Sequence, residues 1–255
     1  MKYSIIIATY NAEKHLSKAV ESLIKEISNS HELIIIDGGS TDKTIDIINK
    51  HSKYINYWIS EPDKGIYDAW NKGLQIAKGD WIMFLGADDC LNPGALSQYD
   101  TFINNDPSHS DLHFISSKIE MVDSQGKSIR IKGWKWEWPK FLNEMTVAHP
   151  GALHSRKLFM EYGLFDTKYK ITGDYELLLR PRTNLKSGFM NHVTVKMCEG
   201  GASDSVAALR EHKIAAINTG GNSVFSSNFN YYKTFLKFRL RKLFRGVGLN
   251  FYLKR

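Results

Sequence analysis

Short apolar runs and helix-period stretches alternate along the first hundred residues. Residues 3–8 form a continuous, β-branched run that reads as a buried parallel strand. Thr9-Tyr10-Asn11-Ala12 break it. Residues 13–27 then place Leu16, Ala19, Val20, Leu23 and Ile27 on one helical face. The alternation continues with strand 33–36, helix 42–50, strand 55–59, helix 66–77 and strand 81–87. Between them lie turn-forming stretches, Asp37-Gly38-Gly39-Ser40-Thr41-Asp42 and Glu61-Pro62-Asp63-Lys64-Gly65. Ser40, Thr41 or Asp42 suits the cap of the second helix. Repeated strand–helix alternation in under 95 residues predicts a mainly parallel, doubly wound α/β sheet.

The pattern loosens after residue 100. Residues 112–122 and 127–132 read as an antiparallel hairpin around Asp123-Ser124-Gln125-Gly126. A short strand is expected over 147–154 and a helix over 155–162. A loop comes next over 165–172, then a helix opened by Gly173-Asp174 and ended by Arg180-Pro181. A strand over 189–197, a glycine loop at 199–203 and helices near 204–218 and 228–245 complete the chain. The expected organisation is one domain over 1–220 with a basic amphipathic tail at 221–255. Within the domain, residues 1–100 form a first half and residues 101–220 a smaller, partly antiparallel second half.

Composition adds little until charge is located. A 255-residue chain with 42% hydrophobic and 24% charged residues is ordinary for a globular protein. Cys90 and Cys198 are too few for a disulfide framework, which fits a reducing compartment. The apolar start is too short for a signal peptide, and no run reaches the ~18 apolar residues of a membrane span. A cytoplasmic location is expected, with the inner membrane face as a second site. The net charge of +7 is uneven: Lys233, Lys237, Arg239, Arg241, Lys242, Arg245, Lys254 and Arg255 occur with no acid among them. Aromatic and aliphatic residues are interleaved with these bases. Residues 231–255 are therefore expected to meet an anionic membrane surface, ahead of packing on the domain or binding single-stranded nucleic acid.

Candidate chemistry gathers at strand ends. Thr9 and Asn11, Asp37, and Asp88-Asp89 all come after predicted parallel strands, where ligands of such sheets bind. Ile82-Met83-Phe84-Leu85-Gly86-Ala87 ends abruptly in the Asp pair. Paired carboxylates at a sheet rim suit Mg²⁺ or Mn²⁺, which take oxygen ligands and keep phosphate in their shell. A solvated turn is the plainer reading of the pair. There is no GxGxxG after the first strand and no GxxxxGK[ST], so a Rossmann dehydrogenase and a P-loop enzyme are not indicated.

Five stretches in order resemble the inverting glycosyltransferases of family 2, which have the GT-A fold. They are Ser4-Ile5-Ile6-Ile7-Ala8-Thr9-Tyr10-Asn11, Asp37-Gly38-Gly39-Ser40-Thr41-Asp42, Gly65-Ile66-Tyr67-Asp68-Ala69-Trp70-Asn71-Lys72-Gly73, Leu85-Gly86-Ala87-Asp88-Asp89 and Thr172-Gly173-Asp174-Tyr175-Glu176-Leu177. The resemblance implies a metal-dependent hexosyltransferase that uses a nucleotide-sugar, UDP-linked, with Mn²⁺ or Mg²⁺. It implies a glycan or lipid-linked acceptor in surface polysaccharide or glycolipid synthesis. Residue by residue, it puts Thr9, Asn11 and Asp37 around the base and Asp68 and Asn71 beneath the nucleotide and donor sugar. Asp88 would meet the ribose, Asp89 the metal, and Asp174 would be the general base. Two positions depart from the family, which often has acids where Gly38 and Gly86 stand. Base identity then rests on Asp37, and the number of carboxylates near the metal is left open.

Each assignment has a plainer counterpart. Asp174 also suits a helix N-terminus, and Asp68 with Asn71 also reads as a surface pair on one helix face. Trp134, Trp136 and Trp138 would share one face of a strand, as core or as an acceptor platform. His149 is either structural or a metal or phosphate ligand on the acceptor side. Gly200-Gly201 reads as plain loop or as the hinge of a closing loop. Two rival functions are a non-catalytic nucleotide-sugar-binding or membrane-surface adaptor and a sugar nucleotidylyltransferase. The latter would want a glycine-rich loop with an adjacent arginine after the first strand, and Thr9-Tyr10-Asn11-Ala12 supplies neither.

Overall fold

The computed structural model describes residues 2–123 and 125–246. The first half alternates as its pattern predicts: β1 (Tyr3–Thr9), α1 (Leu16–Ile24), β2 (His31–Asp37), α2 (Thr44–Lys50), β3 (Tyr57–Ser60), α3 (Ile66–Ile76) and β4 (Trp81–Gly86). Next come β5 (Cys90–Leu91), α4 (Ala95–Asn104), β6 (Phe114–Val122), β7 (Ser128–Lys132), α5 (Trp138–Phe141) and β8 (Leu153–Ser155). The chain closes with α6 (Arg156–Tyr162), α7 (Gly173–Leu179), β9 (Ser187–Cys198), α8 (Val206–Asn218) and α9 (Val224–Gly246).

Among the described residues all nine strands join one sheet, ordered β3-β2-β1-β4-β8-β6-β9-β5, with β7 paired to β6. β1 to β4 are mutually parallel, while β8 runs antiparallel to both β4 and β6. β1 and β2 are buried at every residue, which is why they read as unbroken apolar runs. Alternate residues feed two cores. Ile6, Ile34, Ile82 and Phe84 meet α3, α6 and α7 on one face. Ile5, Ile7, Leu33, Ile35 and Met83 meet α1, α2 and α4 on the other. Truncating one such buried isoleucine to alanine costs about 2–5 kcal/mol.

Register sets the rim. Thr9 stands opposite Asp37, Asp37 opposite Ser60, and Ala8 opposite Gly86. The carboxyl ends of four parallel strands are therefore level, and the loop leaving each strand opens on the same edge.

The structure departs from the pattern in places. α1 begins at Leu16 rather than residue 13, because Glu13 serves the neighbouring loop: its N–H donates to Asp42 and its carboxylate accepts from the Lys43 N–H, both at 3.1 Å. α4 is not among the predicted elements, although Ala95, Leu96 and Tyr99 bury one helical face. The strand over 147–154 is confined to Leu153–Ser155, since the Ala152 N–H closes a turn on the His149 carbonyl. The tryptophan segment is no strand: residues 133–137 are irregular and Trp138 opens α5. Within the stretch 221–255, α9 spans Val224–Gly246, and residues 247–255 lie outside those described.

Candidate active site

The loop after β2 is built around one carboxylate. Asp37 is fully buried, and its oxygens accept from the Gly39 N–H (3.0 Å), the Ser40 N–H (2.8 Å), the Ser40 hydroxyl (2.5 Å) and the Ser60 hydroxyl (2.6 Å). Four donors nearly exhaust the lone pairs of a carboxylate. Asn11, in the left-handed region at φ 48°, accepts from the Thr41 N–H at 2.9 Å, and its own N–H donates to Ser40 at 2.8 Å. The Thr9 carbonyl accepts from the Gly38 N–H at 2.9 Å, while the buried Thr9 hydroxyl has no partner among the described residues. Thr9, Asn11 and Asp37 are thus brought together, with most of their polar atoms engaged in holding the loop.

The acid missing at position 38 has a spatial counterpart. A Cβ added to Gly38 would lie 2.6 Å from Asp63 Oδ2, so the Asp63 carboxylate occupies the space a side chain there would need. The Gly65 N–H donates to Asp63 Oδ1 at 2.8 Å, and no described residue donates to Oδ2. In the sequence Asp63 reads as a turn residue; only the distance to Gly38 reveals it.

Beyond β4 the acids converge for a related reason. A Cβ on Gly86 would come within 2.9 Å of Asp88 and 3.1 Å of Asp89. Glycine here leaves room for two carboxylates where an acid would crowd them. Asp88 is exposed and Asp89 is buried. Asp89 Oδ2 accepts from the Gly86 N–H at 2.9 Å. Burial, and then the neighbouring Asp88 charge, push the Asp89 carboxyl up to about 7. A buried acid beside a like charge is relieved by a cation, and an all-oxygen pair suits a hard divalent ion. No group of three or more potential ligands occurs among the described residues, so a cation here would take its remaining ligands from phosphate and water. The chain leaving this pair is pinned at once: the Asn92 N–H donates to the Thr194 carbonyl (2.7 Å) and its side chain to the Val193 carbonyl (3.0 Å).

Asp174 reaches the same rim from the second half. It opens α7 beside Tyr67, which lies in the first turn of α3 just past the carboxyl end of β3. Asp174 Oδ1 accepts from the Tyr67 hydroxyl (3.0 Å) and the Tyr175 N–H (2.9 Å). No described residue donates to Oδ2, and the side chain keeps part of its surface. Burial pushes the carboxyl up to about 6, against the pull of the Tyr175 N–H and the Tyr67 hydroxyl. Gly173 permits this approach, since a Cβ there would meet the Tyr67 ring at 2.9 Å.

The loop before Asp174 is tied down by residues that carry no signal in the sequence. Glu211, on α8, accepts from the N–H groups of Lys170 (3.0 Å), Ile171 (2.8 Å) and Thr172 (3.1 Å). Arg180 donates to the Tyr162 and Leu164 carbonyls at 2.7 Å and pairs with buried Glu176. Lys170 Nζ donates to the Lys64 carbonyl at 2.8 Å and so links this loop to the one carrying Asp63. Asn71 is engaged likewise: its side chain exchanges two hydrogen bonds with the Phe165 backbone, at 2.9 and 3.0 Å. Asp68 accepts from the Lys64 N–H at 3.0 Å.

The three acceptor-side candidates differ in exposure. Trp134 is 44% exposed, while Trp136 is buried against Phe141 and Trp138. His149 is buried against both Trp70 and Phe84, and burial pushes it down to about 3, so it stays neutral.

A mainly parallel sheet wound on both faces, with acids gathered at its carboxyl rim, is a GT-A glycosyltransferase fold. Residues 4–160 match the profile of glycosyl transferase family 2, and the chain belongs to that family. Over 211 residues, 80% of each chain, it is 28% identical to a PGL/p-HBAD biosynthesis glycosyltransferase of Mycobacterium tuberculosis. It is 32% identical over 131 residues to the poly(ribitol-phosphate) β-N-acetylglucosaminyltransferase TarS of Staphylococcus aureus, a match covering 49% of this chain and 22% of TarS. The structure of TarS residues 1–349 with UDP-GlcNAc superposes with a TM-score of 0.67 at 18% identity, over 91% of this chain and 70% of that one. The mannosyltransferase PcManGT of Pyrobaculum calidifontis, with GDP-Man and Mn²⁺, gives 0.65 at 14% identity, over 90% and 69%.

Proposed function

We propose that this glycosyltransferase is an inverting, metal-dependent enzyme that moves a sugar from a UDP-sugar to a hydroxyl of a glycan or lipid-linked acceptor. The observation that carries the reading is Asp174, with one carboxylate oxygen fixed by two donors and the other left open. A group raised to about 6 is ionised at neutral pH yet basic enough to take a proton. The acceptor oxygen would bond to the anomeric carbon as the bond to the diphosphate oxygen breaks, and the hydroxyl proton would pass to Asp174 Oδ2. Attack on the face opposite the leaving group inverts the anomeric centre. Asp88 and Asp89 would hold Mg²⁺ or Mn²⁺, which supplies Lewis-acid neutralisation of the leaving diphosphate.

On the donor side, Asp37 and Asn11 would shape the loop beneath the base, and the open oxygen of Asp63 would accept from a base N–H. Uracil offers such a donor. The UDP-GlcNAc bound by TarS favours a UDP-sugar, and the GDP-Man bound by PcManGT makes guanine the base to test against it. Discrimination comes from thermal stabilisation by UDP-, GDP- and dTDP-sugars with and without Mn²⁺, because a ligand confined to the native state raises stability by RT ln(1 + [L]/Kd). A Mn²⁺-dependent shift with a UDP-sugar, then release of UDP when acceptor is added, is the expected result. Asp89→Asn should lose the Mn²⁺-dependent part. A shift with GDP- but no UDP-sugars would overturn the base assignment, and binding without turnover on any acceptor would favour an adaptor.

A further inference from the structure

α9 is attached to the body by one side. Ser227 is buried, Lys213 Nζ donates to Asn228 at 3.2 Å and lies 5.0 Å from the Tyr231 ring, and Arg241 pairs with Asp204. The opposite side carries Phe225, Phe229, Tyr232, Leu236, Leu240 and Leu243, spaced by four or three residues and so aligned on one stripe. Their exposures are 85, 64, 67, 61, 37 and 65%. One exposed leucine needs no explanation, but a continuous apolar stripe about 27 Å long does. Lys233 and Arg239 stand at its two edges and Lys237 and Lys242 further round, all exposed. The chain has no acid after Glu211, and residues 212–255 hold nine of its lysines and arginines against a net charge of +7.

We propose that this face of α9 lies in the head-group layer of an anionic bilayer, with the stripe at the acyl boundary and the flanking bases on lipid phosphates. No described helix is long and apolar enough to cross a membrane, so α9 would lie on the surface. A second copy of the chain fits the stripe less well, because self-pairing would set Lys233 and Arg239 against the same bases with no acid on α9 to answer them. Leu236, Leu240 and Leu243 offer no flat face on which nucleic-acid bases stack. The inference stands on α9 alone and not on the reaction assigned to the rim.

The test is flotation of the full chain with vesicles of phosphatidylcholine containing roughly one-third phosphatidylglycerol, beside pure phosphatidylcholine. The chain should float with the anionic vesicles and lose binding as salt rises. Phe229→Ser/Leu236→Ser/Leu243→Ser should lower the partition coefficient by at least about tenfold, with circular dichroism unchanged. Lys233→Gln/Arg239→Gln should weaken binding to anionic vesicles and flatten its salt dependence. Failure to bind either vesicle, or full binding by the triple variant, would overturn the proposal. A dimer, or binding of a single-stranded oligonucleotide, that the triple variant abolishes would reassign the stripe and overturn it too. Nucleotide-sugar stabilisation is a separate readout, so failure here leaves the donor assignment untouched.

Discussion

The acid pair after β4 and the lone acid of α7 are held in place by opposite means. Asp88 and Asp89 come directly after a buried strand whose register with β1 fixes their height. Their positioning is local: a glycine that leaves room and an N–H three residues away. Asp174 sits after an irregular loop that buries Phe165 in the core. It is located by side chains far along the chain, Tyr67, Asn71 and Glu211, and by Arg180 at the end of its own helix. The acid pair is a product of the sheet, and Asp174 is a product of clamps. A sheet tolerates change in its loops, whereas a clamped loop has several single points of failure.

The largest effect that would test this contrast is at Asp174, the proposed base. Asp174→Asn should lower turnover at least ~10²-fold while leaving Mn²⁺-dependent binding of a UDP-sugar intact. Parallel loss of binding and turnover would show that the two acids are not separable and break the comparison.

A clamp should behave differently from the group it holds. Glu211→Gln keeps one acceptor but turns donors toward the backbone N–H groups of residues 170–172, so kcat should fall about tenfold with the donor KM unchanged. The base role proposed for Asp174 requires its ionised carboxylate, so the native rate should fall as pH drops through about 6 and level off above it. The Glu211 charge contributes to that raised value, so in Glu211→Gln this limb should move to lower pH. An unmoved limb with intact kcat would show that the loop holds its place without Glu211.

The smallest effect sharpens the donor side. Asp63→Asn replaces a half-exposed carboxylate, so UDP affinity should fall by about 1 kcal/mol, roughly fivefold by titration calorimetry, with stability little changed. Equal weakening for UDP and GDP would place Asp63 away from the base.

The same contrast explains how much of the molecule is legible in its sequence. β1 to β4 and the acids at their ends are readable because burial on both faces leaves continuous apolar runs, and an acid closing such a run is conspicuous. Glu211 is not readable, since a glutamate on a helix is ordinary until its three backbone partners are seen. Asp63 is hidden by turn chemistry, and the glycine at position 38 reads as a deficit until the space beside it proves filled. Asn71 is correctly placed on one face of α3 but draws attention as a ligand contact, whereas both ends of its amide serve the Phe165 backbone. α4 leaves a signal in Ala95, Leu96 and Tyr99, masked because the Asp pair and Pro93 suggest only a turn. The tryptophan segment misleads because alternation implies one face only when the chain is extended.

Glu211 also imposes an order in time. The loop that leads to Asp174 is complete at residue 174, but its clamp Glu211 is made 37 residues later. At about 5–20 residues per second the ribosome takes roughly 2–7 s to supply it. At residue 174 the nascent chain holds β1 to β8 but not β9, whose Val193 and Thr194 carbonyls pin Asn92, and Asp174 is not yet anchored by α8. The last ties of both the acid pair and Asp174 are therefore made late in synthesis, once β9 and α8 have arrived.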